Sequence, residues 1–356
     1  MKLPLPFRSF TVLPKSFLGV DIGTSAVKIA EVKRWGGRKS LKNYAELQSS
    51  ALYDKPFRTF ERNTLVLSKQ DIARVLKAIL QEAKIQTKDA LFSLPDFSSF
   101  FTHFELPPMT KEELPEAVAF EARRHVPLPL SEVTFDWQLL EGTFEQKTPL
   151  KILMVAVPKE IVNQYQEIAN LAGLTLSGLE AEVFCIMRSC VNEEDKSSLA
   201  LLDIGAQSTT VNIIAKRTLR VSHSVDVAGN SLTDRIAKSL SVDAKMAERY
   251  KFEKGMTDKN LAIILSPMVD ILLSELERVS KEFQQQGGKE VEKIILAGGT
   301  ALLPGLREYV ETTVKKPTSI ANPFENLYYP PVLEQTLKNL GPSHAVAVGA
   351  ALRGLQ

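Results

Sequence analysis

Apolar positions in the first hundred residues come in short blocks broken by single polar residues and glycines. From residue 17 to 32, FLGVDIGTSAVKIAEV reads as two β-rich runs joined by a tight Gly23-Thr24-Ser25 turn. The spacing then changes. Lys69 to Ala83 places Ile72, Val75, Leu76, Ile79 and Leu80 on one helical face, and DALFSLP returns to a short strand. Strand, strand, helix, strand predicts an α/β layer.

Residues 96 to 178 form a second block. FFTHFEL reads as a strand and Lys111 to Arg124 as a helix, with Thr110 and Glu113 spaced as a capping box ahead of Pro115. After the VPLPL break come the strands EVTFDWQLLE and LKILMVAV, a helix from Lys159 to Ala172 ended by Gly173, and the strand LTLSGLE. The order β-α-β-β-α-β is that of a ferredoxin-like split unit, which predicts an insertion with its own small core.

The second half restarts the first. SLALLDIGAQSTTVNIIAKRTLRVSHSVDVAG gives three strand-like runs around a turn at Gly205. Helices are expected at Ser231–Leu240, Ala244–Glu253 and Ser266–Gln286, then the strand VEKIILAGG and a helix beyond Pro304. An irregular stretch from Ala321 to Pro331 precedes a short Ala-rich helix in SHAVAVGAALRG. FLGVDIGTSAVKIAEV and LALLDIGAQSTTVNII match in kind and lie about 180 residues apart, far beyond a solenoid period, so they predict two related lobes.

Composition narrows the class. The 356 residues are 44% apolar and 24% charged, a globular balance long enough for two domains. Net charge is +2 with the basic residues scattered, which argues against a nucleic-acid partner. Cys185 and Cys190 form neither a metal spacing nor a disulfide framework, so a reduced, cytoplasmic compartment is expected. The most apolar window, LAIILSPMVDILL, is interrupted too early for a bilayer span. MKLPLPFRSF is too proline-rich for a signal peptide and reads as a loose arm.

The paired turns carry chemistry. Successive backbone N–H groups at Gly-rich turns, helped by Ser and Thr hydroxyls, form a concave anion site. Asp21 and Asp203 would repel phosphate alone, and fit it when Mg²⁺ lies between, held mostly through water. Lys28 offsets phosphate charge from the second strand. ILAGGTALLPG ends a strand on Gly298-Gly299, where a flat ring or ribose can lie against bare backbone. VAGNSLTDRIAKSL puts Gly229 at a helix start whose free N–H groups face a ligand.

The order DIGTSAVK, DIGAQST, GNSLTD, AGGTALLPG and AVAVGAALRG resembles the actin-like ATPase superfamily from about residue 17 onward. The resemblance implies an α/β, actin-like (ribonuclease H-like) two-lobed fold that binds ATP or ADP with Mg²⁺. By motif position, Asp21, Gly23, Thr24, Ser25 and Lys28 match the first phosphate loop. Asp203, Gly205, Gln207, Ser208 and Thr209 match the second. Gly229, Asn230 and Thr233 fall in the GNSLTD element, and Gly298, Gly299 and Thr300 in the adenosine loop. Glu248 and Lys251 match the nucleotide-facing helix, and Gly349 falls in the second connecting helix. Glu180 takes the position that polarises the attacking water and, with Gln207, is the implied catalytic pair. Asp21 and Asp203 are the implied metal partners.

Sugar kinases would need a catalytic aspartate in a substrate pocket, and heat-shock ATPases a peptide domain after the second lobe. FtsA places a subdomain between its phosphate loops but adds an amphipathic membrane helix, which is not expected beyond ALRGLQ. An FtsA- or MreB-like filament former is therefore the alternative. LPPMTKEELPEAVAFEARRHVPLPLSEVTFDW, within the inserted block, is similar to the PilM family of actin-like type IV pilus assembly proteins. That resemblance implies an adaptor with slow ATPase activity at most. It would bind the cytoplasmic N-terminal peptide of the inner-membrane protein PilN, in a groove of the inserted subdomain where Phe100, Phe101, Phe104 and Leu106 are the candidate lining. Other inner-membrane and motor components of the pilus, and copies of itself, are further candidate partners. The protein would be cytoplasmic and reach the inner membrane only through a partner. The expected division is an N-terminal arm over 1–16, a first lobe over 17–95 completed by 179–198 and 342–356, an inserted ferredoxin-like α+β subdomain over 96–178, and a second lobe over 199–341.

Overall fold

The computed structural model describes residues 16–356 apart from 36, 54, 62–63 and 145–147, so the expected arm up to residue 15 lies outside the described residues. The chain opens with a meander of β1 (Ser16–Ile22), β2 (Ala26–Trp35) and β3 (Arg38–Gln48). A hairpin of β4 (Arg58–Glu61) and β5 (Thr64–Leu67) leads to α1 (Lys69–Glu82) and β6 (Asp89–Leu94). Next come β7 (Phe100–Leu106), α2 (Leu114–His125), β8 (Val133–Glu141), β9 (Leu150–Pro158), α3 (Lys159–Ala172), β10 (Thr175–Ala181) and α4 (Glu182–Cys190). The second half runs β11 (Ser198–Ile204), β12 (Thr209–Ala215), β13 (Thr218–Val225), α5 (Gly229–Leu240), α6 (Ala244–Glu253) and α7 (Lys259–Gln285). It closes with β14 (Lys293–Ala297), α8 (Leu306–Val314), β15 (Thr318–Ile320) and α9 (Glu334–Gly354).

The repeat in the sequence is a repeat in topology. One five-stranded sheet has the order β10-β6-β1-β2-β3, the other β13-β12-β11-β14-β15. In each, the DIG strand is antiparallel to the strand after its turn and parallel to a later one. The registers correspond: Asp21 faces Lys28 and Ile22 faces Val27, while Asp203 faces Thr210 and Ile204 faces Thr209. Both DIG strands are nearly continuous in apolar residues because they are buried on both faces. On the first sheet, α1 and α3 bury Ile72, Leu76, Tyr165 and Ile168 together, with Tyr165 edge-on to Phe92 at 6.3 Å between ring centroids.

The block between the lobes is smaller than its sequence pattern suggests. A separate three-stranded sheet, β7-β9-β8, is covered by α2, with Phe104, Leu106, Leu114, Val118 and Ile152 as its core. The expected β-α-β-β-α-β unit over 96–178 is corrected here, because α3 and β10 belong to the first lobe. β10 pairs in parallel with β6 over Thr175–Ala181, and the buried face of α3 joins the α1 core. Strand order alone does not reveal which sheet a strand joins, and the deciding contact is with β6, some 80 residues earlier. The reciprocal Thr110–Glu113 bonds form, each residue's backbone N–H donating to the other's side chain, but α2 begins only at Leu114, so the pair closes the turn ahead of the helix rather than its first turn from Lys111.

Two helices outrun their expected bounds. α7 begins at Lys259, capped by Asp258, and passes through Pro267, while α9 begins at Glu334 and passes through Pro342. Proline lacks a donor but does not end a helix whose neighbours hold it in place. The lobes meet where α4 crosses α9, and that crossing requires glycine. A Cβ at Gly349 would lie 1.9 Å from the Cys185 carbonyl oxygen, and one at Gly19 would lie 1.8 Å from that of Ala347. Gly349→Ala is expected to lower unfolding free energy by about 1–3 kcal/mol or more. Gly178→Ala, whose added Cβ meets nothing nearer than 3.6 Å, should be nearly neutral in the same urea titration.

Candidate functional site

The carboxyl ends of β1 and β11 point at each other across the seam, and the two DIG turns face one cleft of about 190 Å³. Each turn is closed by its glycine: Gly23 N–H donates to the Ala26 carbonyl at 2.8 Å and Gly205 N–H to that of Ser208 at 3.1 Å. The second turn is fastened from behind. Gly229 N–H donates to the Gly205 carbonyl at 2.9 Å, Asn230 N–H to that of Ala206 at 2.8 Å, and the Thr300 hydroxyl to Gly205 at 3.2 Å. Gly298 closes the cleft wall with φ of 82°, and a Cβ there would meet the Ile204 carbonyl oxygen at 2.4 Å and Asp203 Oδ1 at 2.6 Å. Only glycine satisfies both conditions.

The floor of the cleft is acidic. Asp21 accepts from Lys28 Nζ at 3.3 Å and from the Ser93 hydroxyl at 3.2 Å. Glu182, at the first turn of α4, pairs with Arg58 Nη1 at 2.9 Å, and both are buried. Burial, followed by the charges of Glu182 and Asp21, pushes Asp203 up to about 7. Burial also raises Glu182, against the pull of Arg58. For Lys28, burial disfavours the charge, but Asp21 and Glu46 outweigh it and its pKa rises.

Asp96, in the turn after β6, is raised well above the usual carboxylate range by burial and by Glu182. Its Oδ1 accepts from the Val183 backbone N–H at 3.0 Å. Beside Asp96 and Gln207 a second cavity of about 550 Å³ opens between β7 and β13.

Most of the expected site residues come together here. Asp21, Gly23, Thr24, Ser25, Lys28, Asp203, Gly205, Gln207, Ser208, Gly229, Asn230, Glu248, Lys251, Gly298, Gly299 and Thr300 all line the cleft. Gln207 Oε1 is buried without a partner among the described residues. Lys251 is held by Glu248 at 2.7 Å and the Gly229 carbonyl at 3.1 Å, and burial lowers its pKa.

Three expected residues do not reach the cleft. The Thr209 hydroxyl is spent on the Val227 carbonyl at 2.6 Å, and Thr210 takes its place on the lining. Thr233 stands behind the wall, donating to the Gly229 carbonyl at 3.0 Å and accepting from Lys251 at 2.8 Å. Glu180 is the larger correction. It is bound by Arg188 Nη1 at 2.5 Å and Nη2 at 2.7 Å and by Arg353 of α9, and it does not line the cleft. Burial opposes its ionisation, but the two arginines outweigh that and hold its pKa below the usual value. The strand-to-helix turn gives the cleft to Glu182 instead, two residues on.

The sequence reading missed Arg58, Glu182, Glu46 and Ser343. Glu182 was visible as the second acid of LEAEVF, and the others carry no local signal.

The aromatic strand β7 also departs from expectation. Phe104 and Leu106 are buried under α2, and Phe100 and Phe101 border the 550 Å³ cavity. A different groove, about 400 Å³ and mostly apolar, runs between β8 and β9 on one side and β10 and α4 on the other.

The cleft lining carries the kinds of groups that a phosphate and a cation would need. Two glycine turns that a Cβ would crowd lie beside Asp21 and Asp203, and burial with the neighbouring carboxylates raises Asp203 to about 7, a charge balance that a bound cation would relieve. Among the described residues no group of three or more His, Cys, Asp or Glu is arranged to grip a metal directly.

Comparison with known proteins gives consistent results. The family model described as "Type IV pilus assembly protein PilM" matches residues 19–355. The cell division protein FtsA of Streptococcus pneumoniae is 20% identical over 342 residues, covering 83% of this chain and 73% of that protein. A solved PilM-PilN type IV pilus biogenesis complex is similar at TM-score 0.83 and 26% identity, over 97% of this chain and 99% of that one. MreB5 of Spiroplasma citri, solved bound to ADP, shares the fold at TM-score 0.52 and 16% identity, over 95% of each chain.

The raised Asp203 has a stability consequence. Its pKa rises from 3.8 to about 7 on folding, so folding takes up a proton, and the group's contribution falls as pH climbs from 4 to 7. Asp203→Asn removes that penalty. Its stability relative to wild type, measured without ligand, should grow over that window by up to about 1.4 kcal/mol per pH unit and level off above it.

Proposed function

The chain belongs to the PilM family of type IV pilus assembly proteins, and on that premise we propose that it is a nucleotide-dependent adaptor that binds an inner-membrane partner through a peptide. ATP or ADP with Mg²⁺ occupies the interlobe cleft. Asp21 and Asp203 would hold the ion, the DIG turns and Lys28 would take the phosphates, and Gly298-Gly299 with Glu248 and Lys251 would border the nucleoside. The observation that carries this is the facing pair of DIG turns over a buried acidic floor.

A nucleotide here would supply negative charge, and Asp21, Asp203 and Lys28 are the residues that would balance it together with a cation. At about 190 Å³ the cleft is below the roughly 300–1,000 Å³ of typical ligand pockets, so entry requires the lobes to part. Turnover in isolation is expected to be slow, and a rate near about 1 per second or faster without partners would count against the adaptor reading. Lys28→Ala and Asp203→Ala should each abolish the rise in melting temperature given by Mg-ATP. An undiminished rise in both would refute the site.

The partner surface is the 400 Å³ groove. It lies between two open sheet edges, β10 of the first lobe and β8 of the small sheet, whose unpaired backbone groups suit an added extended peptide. Apolar positions at Leu176, Leu179 and Phe135 give such a peptide side-chain pockets. The partner is a PilN-type protein offering its cytoplasmic N-terminal segment. No helix among the described residues is long and apolar enough to cross a membrane, so membrane recruitment in this reading comes through that partner.

Leu176→Arg and Thr134→Arg, both on the groove walls, should weaken binding of a PilN N-terminal peptide by tenfold or more in a fluorescence titration. They should leave the Mg-ATP thermal shift intact. Undiminished peptide binding in both variants would move the docking site elsewhere.

A further inference from the structure

The hairpin between β2 and β3 serves neither the cleft nor the groove, and its composition is unlike the rest of the surface. Residues 33–42, KRWGGRKSLK, hold five cations and no acidic residue, in a chain whose net charge is only +2. Lys42 pairs with the buried Glu31 at 2.9 Å, and Arg34 donates to the Leu355 carbonyl. Lys33, Arg38 and Lys39 have no ion pair among the described residues, so their charge is presented to solvent. Between them stands Trp35, 83% exposed. A tryptophan this open buries little of its ring, and its place among unpaired cations and other exposed apolar side chains is what sets this patch apart.

Apolar neighbours extend the patch. Tyr328 is stitched beside β3 by two backbone bonds of 3.0 Å, its carbonyl accepting from Leu41 and its N–H donating to the Lys39 carbonyl. Tyr328 is 69% exposed, and Val332, four residues on, is 85% exposed. Position matters too. Trp35 lies beside the start of β1 and Asp21 near its end, so hairpin and nucleotide cleft occupy opposite ends of the same sheet.

We propose that this hairpin is a second, direct membrane contact that rests Trp35 in the headgroup region of an anionic bilayer while Lys33, Arg38 and Lys39 bind lipid phosphates. Tryptophan favours the membrane interface, where its ring is half in hydrocarbon and half in water. Each basic residue near an anionic leaflet adds attraction that salt screens. Charge complementarity selects this occupant. Three free cations around an open apolar tip are too few for a nucleic-acid duplex and lack the groove a peptide would need. One such tip binds weakly by itself, which suits a contact that acts beside a peptide-anchored partner and orients the chain on the membrane.

The test is sedimentation of the full chain with vesicles, either of phosphatidylglycerol mixed with phosphatidylcholine or of phosphatidylcholine alone. Wild type should sediment with the anionic vesicles, lose that binding at high salt, and ignore the neutral ones. Lys33→Glu/Arg38→Glu/Lys39→Glu should weaken the binding on the order of a hundredfold. Trp35→Ala should weaken it several-fold. In a Trp137→Phe background, Trp35 emission should shift to the blue on adding anionic vesicles. Both variants should keep the Mg-ATP thermal shift and the peptide affinity, which separates this contact from the adaptor reading. Equal binding to neutral and anionic vesicles, or an undiminished triple variant, would overturn the proposal.

Discussion

The structure turns on three carboxylates, Asp21, Glu182 and Asp203, brought together at the floor of a cleft between two lobes. Like charges in a low-dielectric seam repel, and the chain answers with Lys28 against Asp21 and Arg58 against Glu182. Asp203 has no ion pair among the described residues and holds its proton up to about pH 7. The unmet demand at this seam is for a cation, and the glycine turns on either side supply backbone donors for the anion that would accompany it. The two half-sites are useful only when the lobes are held together. Repetition of one topology in both sheets is the simplest way to aim two such turns at one another.

The same seam is tied to the groove by a single turn of chain. At the junction of β10 and α4, Glu182 faces the cleft, while Glu180, two residues earlier, borders the groove and is clamped by Arg188 of α4 and Arg353 of α9. Those two helices cross so closely at Gly349 that neither can move without the other. A change in lobe angle at the nucleotide would therefore shift one wall of the groove. This gives the adaptor reading a physical route between its two sites, through a rigid junction rather than a chain of weak contacts.

The sequence alone made much of this legible, and the reasons are local. Both DIG hairpins, the Thr110–Glu113 bonds and the bounds of α6 could be read because glycine turns, caps and helical spacing are short-range signals. Sixteen of the nominated residues line the cleft, most of them on or beside a hairpin turn or helix start whose position follows from its neighbours, while Glu248 and Lys251 lie further along α6. What escaped depended on distant pairing. β10 was assigned to the middle block because its partnership with β6 leaves no trace in its own residues. Glu180 was nominated over Glu182 because the choice depends on where the strand gives way to the helix, a boundary of a single residue. Arg58 reaches the floor from a short hairpin that shows no periodicity.

The central claim is that nucleotide in the cleft sets the groove. It is tested most directly by titrating a PilN N-terminal peptide into the protein by calorimetry, with and without saturating Mg-ATP. The account predicts binding in both states, with affinities differing about fivefold or more, the range expected of energetically coupled sites. Identical affinities with and without nucleotide, measured where Mg-ATP binding is itself demonstrated, would contradict it.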